Sequence, residues 1–174
     1  MAFFESTARK GLGSPYDGAI LAAAARYVVD PALIKAVISK ESSWNPQAYR
    51  AEPQIGDASR GLMQILYRTA QGIGYAGNEA GLFEPTTNID FGTKFLAEKL
   101  NQYGYPAGVS AYNAGRPITG NAQYVADVDA YYTFFILNDP IFAPAPGGAG
   151  DTWFPRLAGR EWHARYPDRA VRRP

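Results

Sequence analysis

Glu41 closes an apolar series, Ile34, Val37, Ile38 and Glu41, whose i, i+3, i+4, i+7 spacing is that of one helix face. Lys35 and Lys40 fall on other faces, so the series carries an acid toward the interior. Burial disfavours the charged form of a carboxyl and raises its pKa, which lets a glutamate hold a proton near neutrality and deliver it as a general acid. The spacing leaves a second possibility open, since an acid in the last turn of a helix can also swing to solvent or pair with an arginine.

Composition narrows the chemistry around that acid. The chain has 174 residues, 17 Lys+Arg against 16 Asp+Glu, one histidine and no cysteine. Zinc sites need Cys and His in groups and thiol catalysis needs Cys, so no metal and no cofactor are expected. A Ser-His-Asp device would have to use His163, in a Pro- and Arg-rich stretch, and carries little weight. An even charge balance argues against a general nucleic-acid binder, because phosphate binding needs excess cations. With 47% hydrophobic residues the chain can bury a real core. The first residues, with Glu5, Arg9 and Lys10, do not read as a secretory signal, and the absence of a long apolar run predicts no membrane span.

The elements that must position Glu41 are mostly helical. Ser14-Pro15-Tyr16-Asp17 opens a helix over about 15–29, and Asp30-Pro31 opens a second that Asn45-Pro46 ends. Residues 46–60 read as a loop or short hairpin and 61–71 as a helix with Leu62, Ile65 and Leu66 on one face. Thr86 or Thr87 caps a longer helix to Tyr103, and shorter helices follow over 106–114 and 121–137. Three regions result: an N-terminal arm, 1–14; a helical domain, 15–137; and a Pro/Gly- and Arg-rich extension, 138–174. Residues 151–174 hold six arginines against three acids, and 1–150 hold eleven bases against thirteen acids, so the neutral total averages a mildly acidic body and a basic tail. Trp153, Phe154, Trp162 and Tyr166 predict that the tail packs, either on its own domain or on a partner.

Three segments occur in order: Glu41-Ser42 followed by Asn45-Pro46, then Gly61-Leu62-Met63-Gln64, then Ala111-Tyr112-Asn113-Ala114-Gly115. Together they resemble the signatures of the lytic transglycosylases of the Slt type, relatives of goose-type lysozymes, over about residues 20–137. The resemblance implies a lysozyme-like, mostly α-helical domain with a small loop or hairpin region and an extended C-terminal tail. It also implies cleavage of the β-1,4 bond between N-acetylmuramic acid and N-acetylglucosamine in peptidoglycan. Glu41 would protonate the glycosidic oxygen, then take the proton of the muramyl C6 hydroxyl as that oxygen closes on C1 to leave a 1,6-anhydro end. An internal hydroxyl at high effective concentration lets one carboxyl serve as acid and then base. Ordinary glycosidases flank the bond with two carboxyls, about 5–5.5 Å apart when retaining.

A second acid is therefore the deciding question. Asp57 is the first candidate and Glu52 the next. An Asp57 that faces the cleft and holds a water would make hydrolysis credible, whereas one that caps the turn into Ser59-Arg60-Gly61 would not. The resemblance further assigns substrate contacts to Ser42, Met63, Gln64, Tyr112, Asn113 and Tyr124. Each has a plainer reading: a helix-end hydroxyl on its own backbone for Ser42, core packing for Met63, helix ties for the amides. The compact segment 116–121 departs from the family's longer loop, and 64–88 does not align residue by residue. Without a signal segment, the expected setting is a bacteriophage protein, virion-borne or an endolysin, with the tail docking other virion proteins. A bacterial enzyme exported by a dedicated system and a non-catalytic virion module are the alternatives.

Overall fold

A computed structural model describes residues 2–142. The chain runs α1 (Ala2–Lys10), α2 (Asp17–Tyr27), α3 (Pro31–Ser42), β1 (Tyr49–Glu52), β2 (Asp57–Arg60), β3 (Ile65–Leu66), α4 (Tyr67–Gly72), α5 (Pro85–Tyr103), α6 (Ala107–Ala114) and α7 (Ala122–Asn138). Short 3-10 turns precede α5 and α7 and follow α7. The mostly helical expectation holds. His163 and the aromatic, basic tail lie outside the described residues.

α3 is the axis of the domain. Asp30 caps it, accepting from the Ala32 amide at 2.8 Å, and Pro31 occupies its first turn. Every residue from Pro31 to Ser39 is buried, with α7 packed along it and α2, α5 and α6 completing the bundle. The core joins Leu33, Ile34, Val37 and Ile38 of α3 to Ile89, Leu96 and Leu100 of α5 and to Val128, Tyr132 and Phe135 of α7. Gly108 lets α6 lie against the α5 backbone, since a Cβ there would meet the Leu100 Cα at 2.7 Å.

The structure differs from expectation at four elements. The N-terminal arm forms α1, whose Phe4 stacks on Tyr131 of α7 at 4.5 Å between ring centroids. Lys35, expected on an outer face, is 0% exposed and ion-paired to Asp17 (2.7 Å) and Asp139 (2.5 Å). α5 is capped by Glu84, whose carboxylate accepts from the Thr86 and Thr87 amides at 3.0 and 2.6 Å, and not by a threonine.

The fourth difference is the predicted helix over 61–71. Residues 61–64 turn, 65–66 form β3, and only Tyr67–Gly72 is helical. Gly61 (φ +73°) and Gln64 (φ +48°) are left-handed, which no right-handed helix tolerates. Buried Asn88 captures the backbone there: it accepts from the Met63 amide at 2.7 Å and donates to the Arg60 and Leu82 carbonyls at 2.8 and 2.7 Å. A tertiary partner thus replaces the local hydrogen bonds that a helix would have made. A Cβ at Gly61 would collide with Asn88, so the turn needs glycine for both conformation and space.

The hairpin over 49–60 is realised as an antiparallel sheet of order β1-β2-β3, with Arg50 opposite Ser59, Glu52 opposite Asp57, and Ser59 opposite Leu66. Strand period two therefore puts Arg50, Glu52, Asp57, Ser59 and Leu66 on one face, with Asp57 at the end next to the 53–56 turn. That face looks across a groove at the end of α3.

Candidate active site

α3 ends where the chemistry would sit. Ser43 (φ 51°) and Trp44 (φ 69°) are consecutive left-handed residues that turn the chain away directly after Glu41-Ser42. The Trp44 indole donates to the Ser39 hydroxyl at 2.9 Å and packs edge-on against Phe135, locking that reversal. Glu41 is left in the last turn, at the wall of an open groove of about 340 Å³. Arg50, Glu52, Gln64, Tyr112 and Asn113 also line it.

The Glu41 carboxyl is partly open to the groove and otherwise ringed by protein. This desolvation raises its pKa from the ordinary glutamate value to about 7, against the opposing pull of the Tyr124 hydrogen bond and of the Arg50 and Lys40 charges. Tyr124 donates its hydroxyl to Glu41 Oε1 at 2.6 Å from α7. Burial first, and the Glu41 charge second, raise the Tyr124 and Tyr112 phenols well above the ordinary tyrosine value, so both remain donors. Beside this contact Lys40 pairs with Asp127 of α7 at 2.6 Å, bracing the two helices at the level of the acid.

The remaining expected residues divide. Gln64, held in its left-handed turn by donating Nε2 to the Ala48 and Gly61 carbonyls (3.0 and 2.9 Å), lines the groove. Tyr112 also lines it, its hydroxyl donating to the Met63 carbonyl at 2.7 Å, and Asn113 is exposed at the rim. Met63 is a correction: it is fully buried in the core, because the turn at Gly61–Gln64 sends residue 63 inward and residue 64 outward. Ser42 donates to the Ile38 carbonyl of its own helix at 3.2 Å and does not line the groove.

Asp57 does not line the groove either. Its Oδ1 accepts from the Ala58 amide (2.7 Å) and the Arg60 guanidinium (3.0 Å), and its Oδ2 accepts from the Arg68 amide (2.9 Å). These contacts outweigh its desolvation and hold its pKa below the ordinary aspartate value. It ties β2 to the start of α4, and Glu52 is the second carboxylate that the groove contains. Among the described residues no three His, Cys, Asp or Glu side chains gather to hold a metal ion, and no helix is long and apolar enough to cross a membrane. Sequence reasoning passed over Arg50 and Asn88: one lies on a strand without a motif, the other at a helix start that reads as exposed. Only the i, i+2 placement of Arg50 and Glu52 in a hairpin hinted at a shared face.

The fold, a helix bundle beside a small antiparallel sheet, is shared with solved lytic transglycosylases. An inactive mutant of lytic transglycosylase Slt from Pseudomonas aeruginosa superposes with a TM-score of 0.61 at 22% identity, over 71% of this chain and 24% of that one. A 70-kDa soluble lytic transglycosylase in complex with bulgecin A gives 0.58 at 25% identity, over 80% and 27%. The chain belongs to the transglycosylase SLT domain family, whose profile matches residues 18–132. A curated relative, a transglycosylase of Enterobacteria phage PRD1, is 32% identical over 135 residues. That match takes in 72% of this chain but 46% of the relative, so the chain spans about half the relative's length.

Proposed function

We propose that this domain cleaves the β-1,4 bond between N-acetylmuramic acid and N-acetylglucosamine in peptidoglycan, as a lytic transglycosylase with Glu41 as acid and then base. Glu41 gives its proton to the glycosidic oxygen, the bond from that oxygen to C1 breaks, the C6 oxygen bonds to C1, and the C6 hydroxyl proton passes to Glu41. No water is consumed, and the carboxyl ends as it began. The carrying observation is a groove-facing carboxyl poised at about 7 by burial and steadied by one phenol. Gln64 and Asn113 offer amides to sugar hydroxyl and N-acetyl groups, and the phage relative supports a phage setting, virion-borne or lytic.

Mass spectrometry of the fragments released from purified peptidoglycan tests the reaction. Ends lighter by one water are the expected 1,6-anhydro products. Reducing ends would instead assign hydrolysis, with Glu52 as the carboxylate to examine, because it lines the groove and Asp57 does not. No release at all would favour a non-catalytic module.

Tyr124→Phe separates poise from binding. The phenol favours the ionised form of Glu41, so its loss raises the glutamate pKa above about 7. Activity depends on the protonated acid and falls as pH rises through that pKa, so the alkaline limb of the rate profile moves up by about one unit. kcat at pH 6 drops by about tenfold as the carboxyl loses its orienting bond, and KM stays within about twofold. An unmoved alkaline limb would show that the phenol does not set the poise.

A further inference from the structure

Arg50 is the cation among the residues that line the groove, and nothing in the acid–base cycle calls for it. Its charge works against the burial that lets Glu41 hold a proton. Its placement is nonetheless built: strand period and register put Arg50 on the groove face of β1 beside Glu52, which faces Asp57 of β2. Glu52 Oε1 accepts from Arg50 Nε at 2.7 Å and from the Ser59 hydroxyl at 3.4 Å. The Arg50 side chain is 63% exposed against 27% for Glu52. One edge of the guanidinium is thus engaged through Nε, and among the described residues its other N–H donors have no partner. A planar fork fixed at one nitrogen and open at the others is the geometry that takes a carboxylate by paired hydrogen bonds.

Under the reading above, the sugars that fill the groove are uncharged except for what hangs from muramic acid. That substituent ends in a carboxylate when the strand is bare, at the lactyl ether, and bears carboxylates along the stem peptide when it is not. We propose that Arg50 is a specificity residue that binds a carboxylate of the muramyl substituent, with Glu52 and Ser59 holding the guanidinium toward the groove. The inference rests on the proposed activity. It predicts that the domain distinguishes charged from neutralised strands through the sheet wall, separately from the bond-cleaving groups on α3 and α7.

The test measures kcat and KM of wild type, Arg50→Gln and Arg50→Lys on peptide-free strands and on peptide-bearing strands. Each substrate is used as isolated and after carbodiimide coupling of its carboxylates to methylamine. Arg50→Gln is expected to raise KM by about tenfold on carboxylate-bearing strands with kcat within about twofold, and Arg50→Lys to recover part of the loss. On neutralised strands wild type and Arg50→Gln should match. A KM effect already present on peptide-free strands identifies the lactyl carboxylate, and one confined to peptide-bearing strands identifies the stem. Any influence of Arg50 on Glu41 is independent of what the strand carries and appears equally on both substrate forms, so an equal loss on neutralised strands overturns the proposal. An unchanged KM throughout, with cleavage intact, overturns it while leaving the activity standing. Absence of cleavage by wild type brings down both.

Discussion

Glu41→Gln is expected to lower kcat/KM on peptidoglycan by about a thousandfold or more, and at the same time to make the folded protein more stable above pH 7. A single general acid contributes about a hundred- to ten-thousandfold, and under the proposed mechanism one carboxyl both gives and takes the proton. Glutamine keeps the shape and an oxygen for the Tyr124 hydroxyl, so the groove should stay intact while the chemistry stops. The stability gain follows from the raised pKa, which is about 7 in the fold against the ordinary 4.5 of an unfolded glutamate. Below about 4.5 the group is protonated in both states and the variant matches wild type. Between those values the unfolded chain sheds the proton while the folded chain keeps it, so wild-type stability falls as pH rises, and the cost levels off above 7. That plateau is about 3 kcal/mol, or about 5–10 °C in Tm for a chain of this size. Thermal melts at pH 4 and pH 8 check it: equal Tm differences at both values would mean that Glu41 is not held protonated by its surroundings. Cleavage that survives the substitution would remove Glu41 from the mechanism.

The placement of Glu41 was legible because a helix face is a local property. Four residues at i, i+3, i+4 and i+7 state which way the acid points, and Asp30-Pro31 states where the helix begins. Around the groove the controlling interactions are long-range, and there the sequence misleads. Leu62, Ile65 and Leu66 have helical spacing, yet Asn88, far along the chain, takes the backbone of 60–63 for itself and a strand results. The inward turn of Met63 and the outward turn of Gln64 follow from that capture. Asp57 could be ranked first as a second carboxylate because a loop acid has no visible partner in a sequence. The fold supplies the partners: Arg60, three residues on in the same strand, turns its guanidinium back to it, and the start of α4 brings the Arg68 amide. Arg50 was passed over for the converse reason, since an exposed strand cation becomes notable only when the wall opposite contains an acid.

Asp139→Ala should give the largest loss of stability, about 3–5 kcal/mol, with little effect on cleavage measured well below the melting transition. Lys35 is fully buried on α3, and its ammonium reaches Asp139 at 2.5 Å, Asp17 at 2.7 Å and the Gly11 carbonyl at 2.9 Å. One cation therefore joins the α1–α2 turn, the first turn of α2, the middle of α3 and the end of α7. Removing Asp139, whose side chain is 0% exposed, strips the buried ammonium of one of its two counter-ions and leaves a void beside it. Lys35→Met should cost a similar amount for the opposite reason, because two carboxylates then face each other without a cation. The double variant Lys35→Met/Asp139→Ala should cost less than the sum of the singles by about 2 kcal/mol, since Asp17 is partly exposed and can be hydrated. Denaturant melts of the four proteins measure this coupling, and strict additivity would mean that the triad contributes by packing alone. Activity is expected to persist because Lys35 lies six residues before Glu41, about 9 Å along the helix. One helix thus buries two ionisable groups with opposite provision. Lys35 is met by two carboxylates and a carbonyl, and it locks the bundle. Glu41 is met by a single phenol and an open groove, which leaves its proton available to a substrate.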